Sequence, residues 1–432
     1  MVSEASRRDV LLGAGVAAGT AAAAWPAAAA PRRPASAADL SRYVGYGGKA
    51  SGGSGDGATG AWLEQELKGA GFATERLPFS APWFEPAMAE LSTGAHRAGV
   101  VPQAIVVPTG AGGVSGPLVR VAPSLVPPSG LAGAIALVDL PAQRWSTALA
   151  RPIRDTVDAA HAAGAVACVL ITNGPTGKAL ALNTDGRQPI FAKPVAVLAP
   201  AEASPFLAAA TRGERATLKV AGDGGRRPAW NLIGRIDRGR DRWVAVSTPR
   251  SGWFTCAGER GGGVAAWLAL ARWAPGALRR YNLAFVANSG HEYEYLGAEH
   301  TLNGAMPKPE QTALWLHLGA GVAARDWHEL AGALRPLPSA DPQRVLAVST
   351  ALIEPARAAF RGQPGLEAAY DSAGFTAGEL SNVIAAGYSP VAGIFGSHRY
   401  HHAREDDERC LDAPATDRVI VALQQLLSAV LG

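Results

Sequence analysis

The chain has 432 residues, 48% of them hydrophobic and 18% charged, with three cysteines, which excludes a disordered acidic tail, a collagen-like polymer and a disulfide-dense miniprotein. The formal net charge is +4, but residues 1–37 hold four arginines against Glu4 and Asp9, so the remainder carries only +2. With no Lys/Arg stripe, neither nucleic acid nor an anionic membrane surface is an expected partner. At about 100 to 200 residues per domain, the length predicts two or three domains with a cleft between them.

In chain order, Ser6-Arg7-Arg8-Asp9-Val10-Leu11-Leu12 places a twin arginine before a weakly apolar Ala/Gly run. This predicts a Tat-type signal over residues 1–37, and hence a periplasmic or extracellular protein. No later stretch reaches spanning length without a charge or proline, so no integral membrane segment is expected after cleavage. A Gly/Ser-rich loop, Tyr43 to Thr59, then leads into a helix predicted over Ala61 to Lys68.

From about Ala89 to Asp223 the pattern is one of short β-rich runs broken by Gly and Pro. Strands are expected at Ala104–Pro108, Leu118–Val121, Gly133–Leu140 and Val166–Ile171, with a helix at Ile153–Ala163. Beyond Trp230, apolar strands at Asn231–Ile236, Trp243–Ser247, Tyr281–Asn288, Ala313–Leu318 and Val391–Phe395 alternate with helices at Gly262–Trp273 and Arg418–Val430. Such alternation predicts a layered α/β fold with a mainly parallel sheet, whose ligands bind at the carboxyl ends of the strands. Cys168 reads as inert core, while Cys256 and Cys410 flank candidate site segments and are either paired or two free thiols.

The loops after those strands carry a family resemblance. Asn231-Leu232-Ile233-Gly234, Val244-Ala245-Val246, Gly263-Val264-Ala265-Ala266, Ser289-Gly290-His291-Glu292 with Leu296-Gly297, and Tyr400-His401 together resemble the skeleton of the zinc aminopeptidase family, which includes glutamate carboxypeptidase-like and glutaminyl cyclase enzymes. The β-rich segment resembles a protease-associated domain. The resemblance implies a three-layer zinc-exopeptidase fold formed by residues 38–88 and 226–432, with a protease-associated insert at 89–225.

Most of the family's metal ligands are replaced. The His-x-Asp place reads Pro249-Arg250-Ser251, the bridging-Asp place reads Gly258 with Glu259 beside it, and the Glu-Glu pair reads His291-Glu292. The strand-end Asp falls at His317 or Gly319. The resemblance therefore implies at most one zinc, held by Glu292, His401 and a third ligand from Glu259, His291 or His317, lowering the pKa of a bound water.

The expected activity is hydrolysis of a small peptide or amide-like substrate by activated water, with His291, Glu292, Arg250 and Glu259 in catalysis. Glu379, Arg260 and Tyr400 are the expected substrate contacts. In a metal-free version His291 is the general base, Glu292 orients it, and Arg250 or Arg260 stabilises the oxyanion. A non-catalytic peptide-binding homologue and a cyclase on the same scaffold are the alternatives. No Gly-x-Ser-x-Gly elbow supports a serine nucleophile.

Overall fold

The computed structural model describes residues 35–123 and 129–432. The expected export signal lies, through residue 34, outside the described residues. Among the described residues no helix is long and apolar enough to cross a membrane.

The apolar runs beyond Trp230 become strands because nothing but a doubly covered sheet can bury them. All seven residues of Asn282–Asn288 are buried, as a parallel strand with helices on both faces requires. Asn282–Asn288, Trp243–Pro249, Thr312–Leu318 and Val391–Gly396 lie side by side and parallel. Antiparallel strands flank them, Arg215–Ile236 on one side and Arg344–Val348 on the other. Alternate side chains fill two cores. Val244, Val246, Leu314 and Leu316 pack with Trp267 of helix Gly262–Ala277 and with helices Ser54–Gly69 and Ala413–Leu431. Ala245 and Trp315 point the other way, against Leu380, Val383 and Tyr388.

The segment 89–225 grows out of this body on one long ribbon. Ala73–Thr93 pairs antiparallel with Arg215–Ile236 along its whole length, with a single register shift between Pro86 and Met88. At the far end the short strands Val114–Val121, Ile135–Asp139, Ala167–Ile171 and Val195–Leu198 run parallel. Helix Arg151–Ala162, close to the expected Ile153–Ala163, supplies the crossover into Ala167–Ile171.

Most expected elements stand within a few residues of their expected places; three features differ. The segment read as a loop from Tyr43 to Thr59 is helical at both ends, within Ala37–Gly45 and from Ser54 onward, so the helix expected at Ala61 starts seven residues earlier. Ala104–Pro108 has strand composition but forms none, because Pro102 and Pro108 remove ladder donors at both ends. The strand Ala73–Thr93 escapes a period-2 reading because its prolines and register shift break the alternation. Cys168, Cys256 and Cys410 are all buried and free, so the Cys256 and Cys410 alternatives resolve to two thiols.

Trp267 is the largest side chain of the first core with no exposed surface. It is fully buried, donates Nε1–H to the Val246 carbonyl at 3.1 Å and meets Phe285 edge-on at 5.6 Å. Trp267→Ala is expected to cost about 3–5 kcal/mol of stability. A urea denaturation midpoint unchanged from wild type would contradict that packing.

Candidate active site

The carboxyl ends of the parallel strands converge on a cavity of about 890 Å³ lined by His291, Tyr295, His317, His401, Ser146 and Asn183 among others. Each histidine arrives from a different strand. His291 opens a 3₁₀ turn just after Asn282–Asn288, His317 lies near the end of Thr312–Leu318, and His401 lies in the loop after Val391–Gly396. Ser146 and Asn183 come from the outgrowth, which therefore walls one side.

His291 is the most organised of the three. Its Nδ1 lies 3.0 Å from Glu379 Oε1, and Glu379 Oε2 accepts from Asn288 Nδ2 at 2.9 Å. Asn288 Oδ1 in turn accepts from Thr301, which also receives Asn231 Nδ2. Burial alone would raise the Glu379 carboxyl, but His291 and His317 outweigh it and hold it below its ordinary value. An ionised carboxylate can only accept, so Nδ1 carries the proton and Nε2 the lone pair. Burial and then Arg260 lower the His291 pKa against the opposing pull of Glu379, so the ring is neutral near pH 7. The Tyr295 ring packs edge-on to it at 4.9 Å.

His317 Nδ1 pairs with Ser247 Oγ at 2.9 Å, and the same hydroxyl accepts from Trp315 Nε1 at 2.8 Å. Burial pushes its pKa down to about 4.

Glu259 and Arg260 sit on a π-helical turn, Ala257–Gly261, that opens helix Gly262–Ala277. Asp406 fixes the turn. Its carboxylate accepts from Gly258 N at 2.6 Å and Glu259 N at 3.0 Å, and its Oδ2 lies 3.2 Å from His398 Nε2. Only glycine fits at 258, where a Cβ would meet Cys410, Asp406 and His398 within 2.9 Å. Glu259 Oε1 lies 2.6 Å from Arg260 Nη2 and 3.3 Å from His402 Nε2. Burial would raise this carboxyl, but Arg260, then His402 and His401, hold it well below the usual carboxylate range. His401 and His402 stack at 4.0 Å with their planes 19° apart.

Other expected site residues are engaged elsewhere. Glu292 is fully buried; Oε1 accepts from Ser51 N and Ser51 Oγ at 2.7 Å, and Oε2 accepts from Ser251 Oγ at 2.8 Å. It neither orients His291 nor joins His401; it ties the turn bearing His291 to two serine-bearing loops. Arg250 has a similar role. Its Nε meets Asp56 Oδ1 at 3.0 Å, its terminal nitrogens donate to the Ala287 and Trp230 carbonyls, and it lies over the Trp230 ring. That geometry spends the guanidinium on structure, away from any oxyanion. Tyr400 packs edge-on to Trp327 at 5.1 Å within a hydrophobic cluster and does not line the cavity. Glu379 and Arg260 also stand behind the cavity wall rather than on it.

Neither a family model nor a curated sequence matches the chain. Solved structures do. A peptidase precursor from Shewanella amazonensis superposes with TM-score 0.71 at 19% identity, covering 91% of this chain and 92% of that one. A zinc aminopeptidase from Bacillus subtilis gives 0.70 at 16%, covering 91% and 94%. An aminopeptidase from Aneurinibacillus gives 0.64 at 17%, covering 91% and 93%. The chain has the zinc-exopeptidase fold.

Zinc, which the resemblance implies, would need ligands among the residues present. The set Glu259, His401 and His402 brings one ligand atom each within 4.8 Å of the others, and both Glu259 oxygens and the Nδ1 atoms of both histidines lack hydrogen-bond partners. The chemistry is right but the geometry is not. An imidazole lone pair lies in its ring plane, so a metal at about 2.1 Å must lie in the plane of each ligating ring. Two rings stacked 4.0 Å apart and 19° from parallel share no such point. At most one imidazole can join Glu259, whose Oε1 already faces Arg260. Glu292, the other expected ligand, is committed to Ser51 and Ser251. The residues as arranged do not fit a zinc ion.

Folding holds His317 at about 4 against 6.5 for a free imidazole. The unfolded chain therefore takes up that proton first, and stability present above pH 6.5 is lost as pH falls toward 4. His317→Gln is expected to make the fall in Tm across that window shallower. An unchanged slope would show that His317 is not held neutral.

Proposed function

We propose that the protein is a hydrolase of small peptide or amide-like substrates, with His291 as the general base for water. The observation that carries this reading is the Asn288–Glu379–His291 chain, which ends in a cavity-lining imidazole whose Nε2 is free to accept a proton.

In the proposed reaction the scissile carbonyl binds in the cavity beside His291. Nε2 takes a proton from water as its oxygen attacks the carbonyl carbon, and Glu379 stabilises the imidazolium that forms. The same proton then passes to the departing amine. Tyr295 lines the wall next to His291, and burial keeps its hydroxyl protonated well past neutrality; it supplies a donor for the developing oxyanion. Glu292 and Arg250 act in this scheme as positioning residues for the turn and strand ends.

Residues 89–225 are read as a protease-associated insert that shapes the cavity through Ser146 and Asn183. Export by the twin-arginine route, after folding, is part of the same reading. The non-catalytic alternative is less well supported, since a purely structural histidine does not need its second nitrogen facing a cavity.

His291→Ala should lower kcat/KM on aminoacyl anilide substrates by about 10²–10⁴-fold, without loss of fold by circular dichroism. Because the neutral ring is the active form and its pKa is lowered, activity should persist at pH values below the ordinary imidazole range. Glu379→Gln removes the charge that supports the imidazolium, so the acid limb should move to still lower pH as kcat falls. Equal rates in wild type and His291→Ala would sink the assignment.

A further inference from the structure

Arg260 is completely buried, yet it sits among groups that ordinarily collect around a metal. Its Nε donates to the Ser251 carbonyl at 3.0 Å, and Nη2 presses on Glu259 Oε1 at 2.6 Å. Neither terminal nitrogen makes a well-directed hydrogen bond, and neither do the Glu259 oxygens; the contact is one of charge against charge. The guanidinium also acts electrostatically on His291, His317 and His401, and Glu379 acts on it. Two buried carboxylates, Glu259 and Glu379, thus share one fixed positive charge among three neutral imidazoles. Carboxylates at this depth need compensation. A divalent ion on Glu259 would sit at about 2 Å from its oxygen, within a few ångströms of a cation that cannot move away.

We propose that Arg260 is the resident cation of this site: its guanidinium stands against Glu259 in place of a divalent ion, and the natural chain takes up no zinc there. The claim stands whether or not His291 catalyses hydrolysis, because its readout is metal binding alone. Removing the guanidinium would leave Glu259 uncompensated beside one usable imidazole, with room for an ion, its remaining positions filled by water, in the vacated volume rather than between the stacked rings.

The full chain, purified without a metal-binding tag and stripped with chelator, is titrated with zinc alone by calorimetry and thermal melting. Wild type should show no saturable site at micromolar zinc and no change in Tm. Arg260→Met should bind one equivalent and gain several degrees in Tm with zinc, while Arg260→Lys, which keeps the charge, should remain indifferent. Should Arg260→Met fail to fold, Arg260→Gln carries the same comparison. Stoichiometric zinc in wild type that disappears in Glu259→Gln would overturn the proposal. So would a folded Arg260→Met chain that ignores zinc.

Discussion

A buried guanidinium pressed against a buried carboxylate, Arg260 against Glu259, constrains everything at the carboxyl ends of the sheet. Neither charge reaches water, so each must be met by the other or by fixed dipoles. The Ser251 carbonyl takes Arg260 Nε, Asp406 holds the turn that presents both residues, and burial, with Arg260 adding to it, holds His291, His317 and His401 below the ordinary imidazole range. Neutrality is what gives His291 a free lone pair. The reaction proposed for the cavity therefore depends on a charge balance struck several residues away from the substrate.

The same economy governs the other buried charges. Arg250 with Asp56, and Glu292 with Ser51 and Ser251, each satisfy a charge by joining segments far apart in sequence. Asp56 also accepts from Ser289, so helix Ser54–Gly69 is locked to the strand end that carries His291.

The fold was legible because it rests on hydrophobic period and strand order. The almost wholly buried runs Trp243–Pro249, Asn282–Asn288 and Thr312–Leu318 announce a covered parallel sheet directly, and their loops are where a ligand belongs. The site was legible only in part. His291, His317 and His401 do line one cavity. The partnerships were not visible, since a dipeptide such as His291-Glu292 says nothing about which way each side chain turns. Adjacent residues of the 3₁₀ turn diverge, so Glu292 points to Ser51 while Glu379, 88 positions away, reaches His291. Ser51 and Asp56 lie in a Gly/Ser-rich segment that carries no local signal, and His402 and Asp406 lie in a His-rich, charged loop whose composition fits a solvated surface as well as a site. His402 has a left-handed backbone, φ 63°, which no sequence pattern around it indicates and which sets its ring on His401.

The central claim is that folding delivers a neutral His291 with its proton on Nδ1 and its lone pair on Nε2. Nitrogen-15 NMR of histidine-labelled protein at pH 7, with His291→Gln used to assign the resonance, tests it directly. The account predicts a protonated Nδ1 and an unprotonated Nε2 in wild type, with Nδ1 losing its strongly hydrogen-bonded signature in Glu379→Gln. A doubly protonated ring at pH 7, or a proton resting on Nε2, would contradict it.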